Sequence, residues 1–420
     1  MTLDPDAIAD CVLATFDQLP DKRKPRSQTN GAREWVPLAG IVLADKDGKL
    51  SCISLGTGMK CLPSSKLPLA KGNALHDWHA EVLAIRAFNR FLLDELLFIL
   101  TPPHPESTIL RPRREEERTP TSPQAFTIRE DVQLHMYCSE APCGDASMEL
   151  TMSLQEDATP WTTPVSTVTS TSDTDTDAAR DTTLIALRGR SHFSHLGLVR
   201  CKPSRPDAPP TLSKSCTDKL TLTQATSLLS ALPSLLISPR NVYLRTLTLP
   251  ASQHIPSAVA RAFAPSGRMR TAVEKAGIWS GGYAWHSFAV HSTRREFRWS
   301  RRMVPSGVKA TASNLSAVWT AAWQETLIGG VLQGRKQFDA RGASAICRRS
   351  VWKVALQIAG IAGMPAVVEA LGRGTYKMVK DGEMLEARRR VKRDVRRQAL
   401  QGWVKNTGDD EFAFEDDRSG

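Results

Sequence analysis

From Trp78 to Leu100 the apolar residues Val82, Leu83, Ile85, Phe88, Leu92, Leu93, Leu96 and Leu97 recur at helical spacing. The spacing predicts a helix over 78–100, with Asp77 as its N-cap. His79 and Glu81 then fall in its first turn, where free N–H groups and the helix dipole favour anions. Val132 to Tyr137 alternates in the manner of a strand. Pro142-Cys143-Gly144-Asp145 follows it and is expected to open a second helix over Ala146 to Leu154. A polar run, Lys214 to Lys219, leads into the apolar stretch Leu220 to Leu236. Two helix starts facing each other across a sheet would bring His79 and Cys143 to one place.

Three segments break this pattern. Residues 102–124 mix proline with the charged run Arg111 to Arg118, 156–183 are rich in Thr, Ser and Asp, and 203–210 are proline-rich. Such compositions bury too little apolar surface to offset the entropy of ordering. They are expected as disordered insertions leaving one domain that spans 1–420, with no internal repeats.

The chemistry sits at the two expected helix starts. A His-x-Glu followed downstream by Pro-Cys is the signature of zinc-dependent nucleobase deaminases. In it the imidazole of His79 and the thiolate of Cys143 would bind metal, and Glu81 would move protons without binding it. Alone, a His-x-Glu is commonly a helix-surface pair and a Pro-Cys-Gly a turn. Their order, and the elements they fall on, favour a site. The signature is incomplete, however: Ala146 stands where a second Cys is usual. A catalytic zinc takes three protein ligands, so the third must come from elsewhere. Cys216, at the start of the Leu220 stretch, is the best candidate and Cys201 the runner-up, while Cys138 reads as part of a buried strand.

These segments resemble the tRNA-specific adenosine deaminases, relatives of the double-stranded-RNA adenosine deaminases. The likeness rests on Trp35 to Val42, Gly58 to Leu62, His76 to Ala84, Pro142 to Met148 and Ser215-Cys216-Thr217-Asp218-Lys219. It implies an α/β, cytidine-deaminase-like fold: a mixed central sheet flanked by helices, with an extended C-terminal helical portion. It implies zinc held by His79, Cys143 and Cys216, with Glu81 as the catalytic carboxylate. The implied reaction is hydrolytic conversion of adenosine to inosine at position 37 of alanine tRNA, with Lys60 contacting the RNA. The family also carries inositol hexakisphosphate. The matching positions are Arg86, Lys219, Lys336, Tyr376, Lys380, Arg390 and Trp403. The chain departs from the family pattern at Ile85, where an Arg is usual, and along Leu220 to Ser230.

Composition narrows the alternatives. A net charge of +11 and a pI near 9.4 suit a phosphate-rich partner. On the C-terminal side Arg388-Arg389-Arg390, Lys392-Arg393 and Arg396-Arg397 form a basic helix, readable as an RNA-binding face or as a lining for a buried anion. No apolar run reaches membrane-spanning length, and the acidic start Met1 to Asp6 has no secretory pattern. Eight scattered cysteines read as reduced thiols plus a metal site. The expected setting is intracellular, cytoplasmic or nuclear, with no obligatory protein partner. Of the other readings, a double-stranded-RNA deaminase lacks its RNA-binding domains here. A cytidine deaminase would have adjacent cysteines, and a non-catalytic RNA-binding subunit would have no need of Glu81.

Overall fold

The computed structural model describes residues 3–27, 31–153, 166–168, 184–189, 191–203 and 207–414. Its centre is a mixed sheet of eight strands. These are β1 (Leu38–Ala44), β2 (Leu50–Thr57), β3 (Gln133–Cys138), β4 (Leu244–Pro250), β5 (Ala289–Thr293), β6 (Leu315–Thr320), β7 (Gln324–Ile328) and β8 (Val331–Leu332). Their spatial order is β5-β4-β3-β1-β2-β6-β7-β8. β3, β4 and β5 run parallel and the remaining pairs antiparallel.

Helices cover both faces, so β1 is apolar at nearly every position rather than alternating. Its period-two geometry still sorts the side chains. Ala39, Ile41 and Leu43 pack with Phe88, Leu92 and Leu96 of α2 (Ala80–Leu100). Leu38 and Val42 pack with Ile8, Val12 and Phe16 of α1 (Pro5–Asp17). Gly40 lies on the α1 side, where an added Cβ would collide with Val12.

The helix expected from residue 78 begins at Ala80 instead. Asp77–His79 is a short strand paired antiparallel with Met59–Cys61, and His79 is the N-cap. Asp77 is therefore no cap, and its side chain is committed to buried lysines beside the active site. Likewise the helix expected over 146–154 is a 3-10 turn, Asp145–Ser147, running into α3 (Met148–Ser153).

Residues 102–124 are not a loose insertion. Leu110–Pro112 pairs antiparallel with Phe126–Ile128. The buried guanidinium of Arg113 donates to the carbonyls of Ser122 and Gln124, each at 2.9 Å. A charged side chain organises the segment where apolar residues are few. Of 156–183 only 166–168 are described, as a strand antiparallel to Leu184–Arg188, and the rest of that expected insertion lies outside the described residues. Within 203–210, the Pro210 carbonyl accepts from the Ser64 amide at 3.0 Å, which ties the connector down.

The C-terminal part is helical: α4 (Cys216–Thr226) is followed, beyond the sheet, by α5 (Arg348–Ile361), α6 (Pro365–Gly372), α7 (Tyr376–Asp381) and α8 (Glu386–Gln398). Among the described residues no helix is long and apolar enough to cross a membrane.

Candidate active site

Three loop-to-helix junctions converge at one end of the sheet. His79 caps α2, and Glu81 is buried in its first turn. Cys143 follows β3 in the turn before α3. Cys216 is the first residue of α4, where Ser215 accepts from the Asp218 amide at 3.1 Å as N-cap. The last two junctions are stitched together. The Thr217 hydroxyl donates to the Pro142 carbonyl at 2.8 Å, and the Thr217 amide donates to the Cys143 carbonyl at 3.0 Å. Gly144, at φ 110°, is required here because a Cβ would run into the Ser215 side chain. Arg261 braces the following turn through Asp145 (3.0 Å) and Glu149 (2.7 Å).

The result is that one donor atom each from His79, Cys143 and Cys216 lies within 4.8 Å of the other two. Cys143 Sγ is 3.8 Å from His79 Nδ1, close to the ~3.6 Å separation expected for tetrahedral zinc bonds to nitrogen and sulfur. An imidazole and two sulfurs form a donor set suited to zinc. The electrostatics point the same way. A hydrogen bond from Cys216, with Lys202 and His79 nearby, holds the Cys143 thiol well below its usual range. Burial and the adjoining Cys143 sulfur push the Cys216 thiol up. A shared cation would relieve two sulfurs packed within 4.8 Å. Burial, then the Cys143 charge, also raises the Glu81 carboxyl.

A second donor group, Cys61, Asp77 and His79, shares the imidazole, but the Asp77 carboxylate is already committed. Oδ1 accepts from the His79 amide at 3.0 Å. Oδ2 accepts from Lys202 Nζ at 2.8 Å and Ser213 Oγ at 2.6 Å, and also contacts Lys219 Nζ. Although burial opposes ionisation, Lys202 and Lys219 hold this carboxyl well below its usual range. Cys201 belongs to neither donor group and lies in the short strand Arg200–Cys201.

Lys202 is the residue that the sequence did not flag. Its ammonium is fully enclosed and bridges Asp77 to the Cys216 sulfur, 3.2 Å away. Burial works against its charge, and Asp77 and Cys216 overcome that. The only local signal, a lysine beside Cys201 at the edge of the proline-rich connector, is uninformative. Lys60 lies on the strand opposite Trp78 and hydrogen-bonds Asn314.

A second cluster lies toward the C-terminus. Arg348 and Lys380 stand over the Tyr376 ring at 5.3 and 5.6 Å, and Arg396 and Lys214 over Trp403 at 5.0 and 5.8 Å. Burial, then Arg348, lowers Lys380 to about 8. Burial, with Lys219 and Arg396, lowers Lys214 to about 8 as well. Lys392 is driven well below its usual range by burial and by Arg396 and Arg388, and has no anionic partner among the described residues. Arg86 is lowered by burial and Arg348. Asp409 and Asp410 answer only part of this charge, 3.4 Å from Arg348 and 3.9 Å from Lys380. Of the residues expected around a polyphosphate, Arg86, Tyr376, Lys380 and Trp403 join the cluster, and Lys219 links it to Asp77. Arg390 and Lys336 are exposed. On α8 it is Lys392 and Arg396 that turn inward, because the helix buries Val391 and Val395 and carries their neighbours with them.

Comparison with known proteins agrees with this geometry. The adenosine-deaminase (editase) domain matches residues 54–407. The tRNA-specific adenosine deaminase 1 of Schizosaccharomyces pombe is 34% identical over 409 residues, covering 96% of this chain and 95% of the relative. That of Saccharomyces cerevisiae is 34% identical over 58% of each chain. The double-stranded RNA-specific adenosine deaminase of Mus musculus is 34% identical over 112 residues, 26% of this chain and 9% of the relative. With its sheet, its helix starts and most of its length accounted for in this way, the chain belongs to the adenosine-deaminase (editase) family and is an enzyme that deaminates adenosine.

Proposed function

We propose that the chain converts adenosine to inosine in tRNA, with adenosine 37 of alanine tRNA as its target. The observation that carries this reading is the meeting of the His79, Cys143 and Cys216 donors within 4.8 Å, beside a buried Glu81. The extent of the likeness to a tRNA-specific deaminase supports the substrate class, since the likeness to the double-stranded-RNA enzyme spans only a quarter of the chain.

His79, Cys143 and Cys216 would hold a zinc ion. Zinc, when bound, supplies the Lewis acidity that lets water ionise near neutral pH. Glu81 takes the proton released as water adds at C6 of a flipped adenine. It gives that proton to N1 and then carries the proton of the added hydroxyl to the leaving nitrogen, so that ammonia departs and inosine remains. Lys202 and Asp77 position the Cys216 sulfur and the His79 backbone. Lys60, on the strand paired with Asp77–His79, would meet RNA next to the target base.

The C-terminal cations fit a polyphosphate such as inositol hexakisphosphate. Several desolvated cations with few carboxylates between them are costly unless an anion neutralises them together. A polyanion bound only by the folded chain also stabilises it by mass action. Eight cysteines outside any disulfide, two of them at the zinc site, support an intracellular setting, where tRNA is found.

The test is to assay purified protein for metal and to sequence an alanine tRNA transcript after incubation with it. One zinc per chain and inosine at position 37 are expected. A zinc-loaded protein that leaves every adenosine of this tRNA intact would overturn the reading.

A further inference from the structure

Away from the reacting centre, on the α1 side of the molecule, a groove of about 680 Å³ runs between residues 21–27 and the Arg298–Trp299 segment. Its lining holds five cations, Lys22, Lys24, Arg26, Arg33 and Arg298, and one carboxylate, Asp21, which pairs with the buried Lys24 at 3.6 Å, while Glu34 accepts from the Arg26 amide at 3.2 Å beside it. Two of the three lining guanidiniums lie over one aromatic ring. Arg33 and Arg298 lie 5.2 and 5.8 Å from the Trp299 ring centre, and Arg301 lies 5.9 Å from that of Trp35. Arg33 is fixed further by donating to the Arg298 carbonyl at 2.9 Å. Besides the Trp299 ring, Arg298 has an exposed ion pair with Asp17 at 3.1 Å among the described residues, which contributes little. A guanidinium resting on a ring is partly ordered already, so less freedom is lost when it grips a phosphate.

The groove is also joined to the rim of the active site at two points. Arg302, beyond its Arg298–Trp299 wall, donates to the Ser139 carbonyl at 2.7 Å and pairs with Glu140 at 2.8 Å, just ahead of Cys143. On the other side, the Trp35 carbonyl accepts from Ser313 at 3.0 Å, and the adjoining Asn314 bonds Lys60. Lys60 sits on the strand in which Met59 faces His79.

We propose that this groove docks the phosphodiester backbone of the substrate RNA, at a stretch away from the target adenosine. The proposal rests on the reading of the chain as an RNA adenosine deaminase. The charge balance selects a polyanion. The fixed guanidiniums favour phosphate, which accepts two parallel hydrogen bonds from one Arg. The groove serves affinity and leaves the chemistry alone.

The experiment compares wild type with the double variant Arg26→Ala/Arg298→Ala, both exposed positions outside the active site. Binding of an alanine tRNA transcript is measured by anisotropy across a salt series, and inosine formation is measured separately at saturating tRNA. We expect affinity to fall about ten-fold at physiological salt. The slope of log affinity against log salt should shrink by about 1.5, because two phosphates are no longer neutralised by the protein. Turnover at saturation and the melting temperature should not change, and Arg26→Lys/Arg298→Lys should restore the salt slope but only part of the affinity. A double variant with wild-type affinity and salt slope that still forms inosine overturns the groove and leaves the deamination reading standing. A wild-type protein that binds tRNA through these arginines but forms no inosine supports the groove and overturns the deamination. Polyglutamate bound as tightly as tRNA through the same arginines overturns the assignment to nucleic acid in favour of an acidic protein.

Discussion

The Lys202 ammonium lies 2.8 Å from the Asp77 carboxylate in a fully buried ion pair, and the same ammonium donates to the Cys216 sulfur. This pair couples two distant segments. Asp77 holds the backbone of His79, and Lys202 holds the sulfur of Cys216, so both donors are oriented from one point. Such outer partners commonly tune a metal site as strongly as its ligands do.

Lys202→Met should therefore weaken zinc binding by about 10–100-fold. It should also cost roughly 3 kcal/mol of stability, because Asp77 stays buried with Lys219 as its remaining cation. Zinc competition with a chromophoric chelator, together with denaturant unfolding, reads both effects. Unchanged zinc affinity would show that Lys202 is only a structural neighbour.

Glu81→Gln should keep the fold and the zinc content but lose about 10²–10⁴-fold in turnover, because an amide cannot cycle a proton. Single-turnover inosine formation by the zinc-loaded variant measures this. Near-normal rates would remove Glu81 from the mechanism.

Cys216→Ser should cut zinc occupancy to a small fraction, whereas Cys201→Ser should leave it near one per chain, since Cys201 lies outside the donor group. Elemental analysis of the two purified variants separates them, and the reverse pattern would transfer the third ligand to Cys201.

Lys392→Met should act with opposite signs in two states. In protein stripped of polyanion the substitution removes a half-buried amine crowded by Arg388 and Arg396, and the melting temperature should rise. In protein loaded with inositol hexakisphosphate it removes a cation that faces the anion, and the melting temperature should fall. A change of the same sign in both states would mean that α8 faces no anion.

The same cluster sets a pH dependence. Lys214 and Lys380 titrate at about 8 in the anion-free protein, depressed from 10.5 by burial and by neighbouring cations. Below pH 8 both are charged and ready for an anion. Above it they are neutral and must take up protons to bind one. The gain in melting temperature from added inositol hexakisphosphate should thus be full at about pH 7 and smaller at about pH 9.5. A gain that does not decline with rising pH would contradict this assignment.

What the sequence determined by itself was local. Residues three and four apart share a helix face, so the apolar stripe of Val82 to Leu97 marked α2 without any tertiary knowledge. Alternation marked β3, and the His79, Glu81 and Cys143 chemistry was legible because each motif is contiguous. Cys216, 73 residues beyond Cys143, was the best candidate from its place at the start of the Leu220 stretch, with Cys201 close behind, and the family likeness agreed with that choice. Tertiary structure alone decided the rest. Asp77 looked like a helix cap because caps are defined by neighbours in sequence, yet pairing with Cys61 drew it into a strand and turned its carboxylate toward Lys202. Lys202, Lys214 and Lys392 read as solvated lysines, since charged side chains are exposed by default. Whether a lysine is buried depends on what packs over it, and that is set by segments far away along the chain. For the same reason the inward face of α8 could not be read from its run of arginines. Val391 and Val395 dock against the body of the protein, and that docking sends Lys392 and Arg396 inward and leaves Arg390 in solvent.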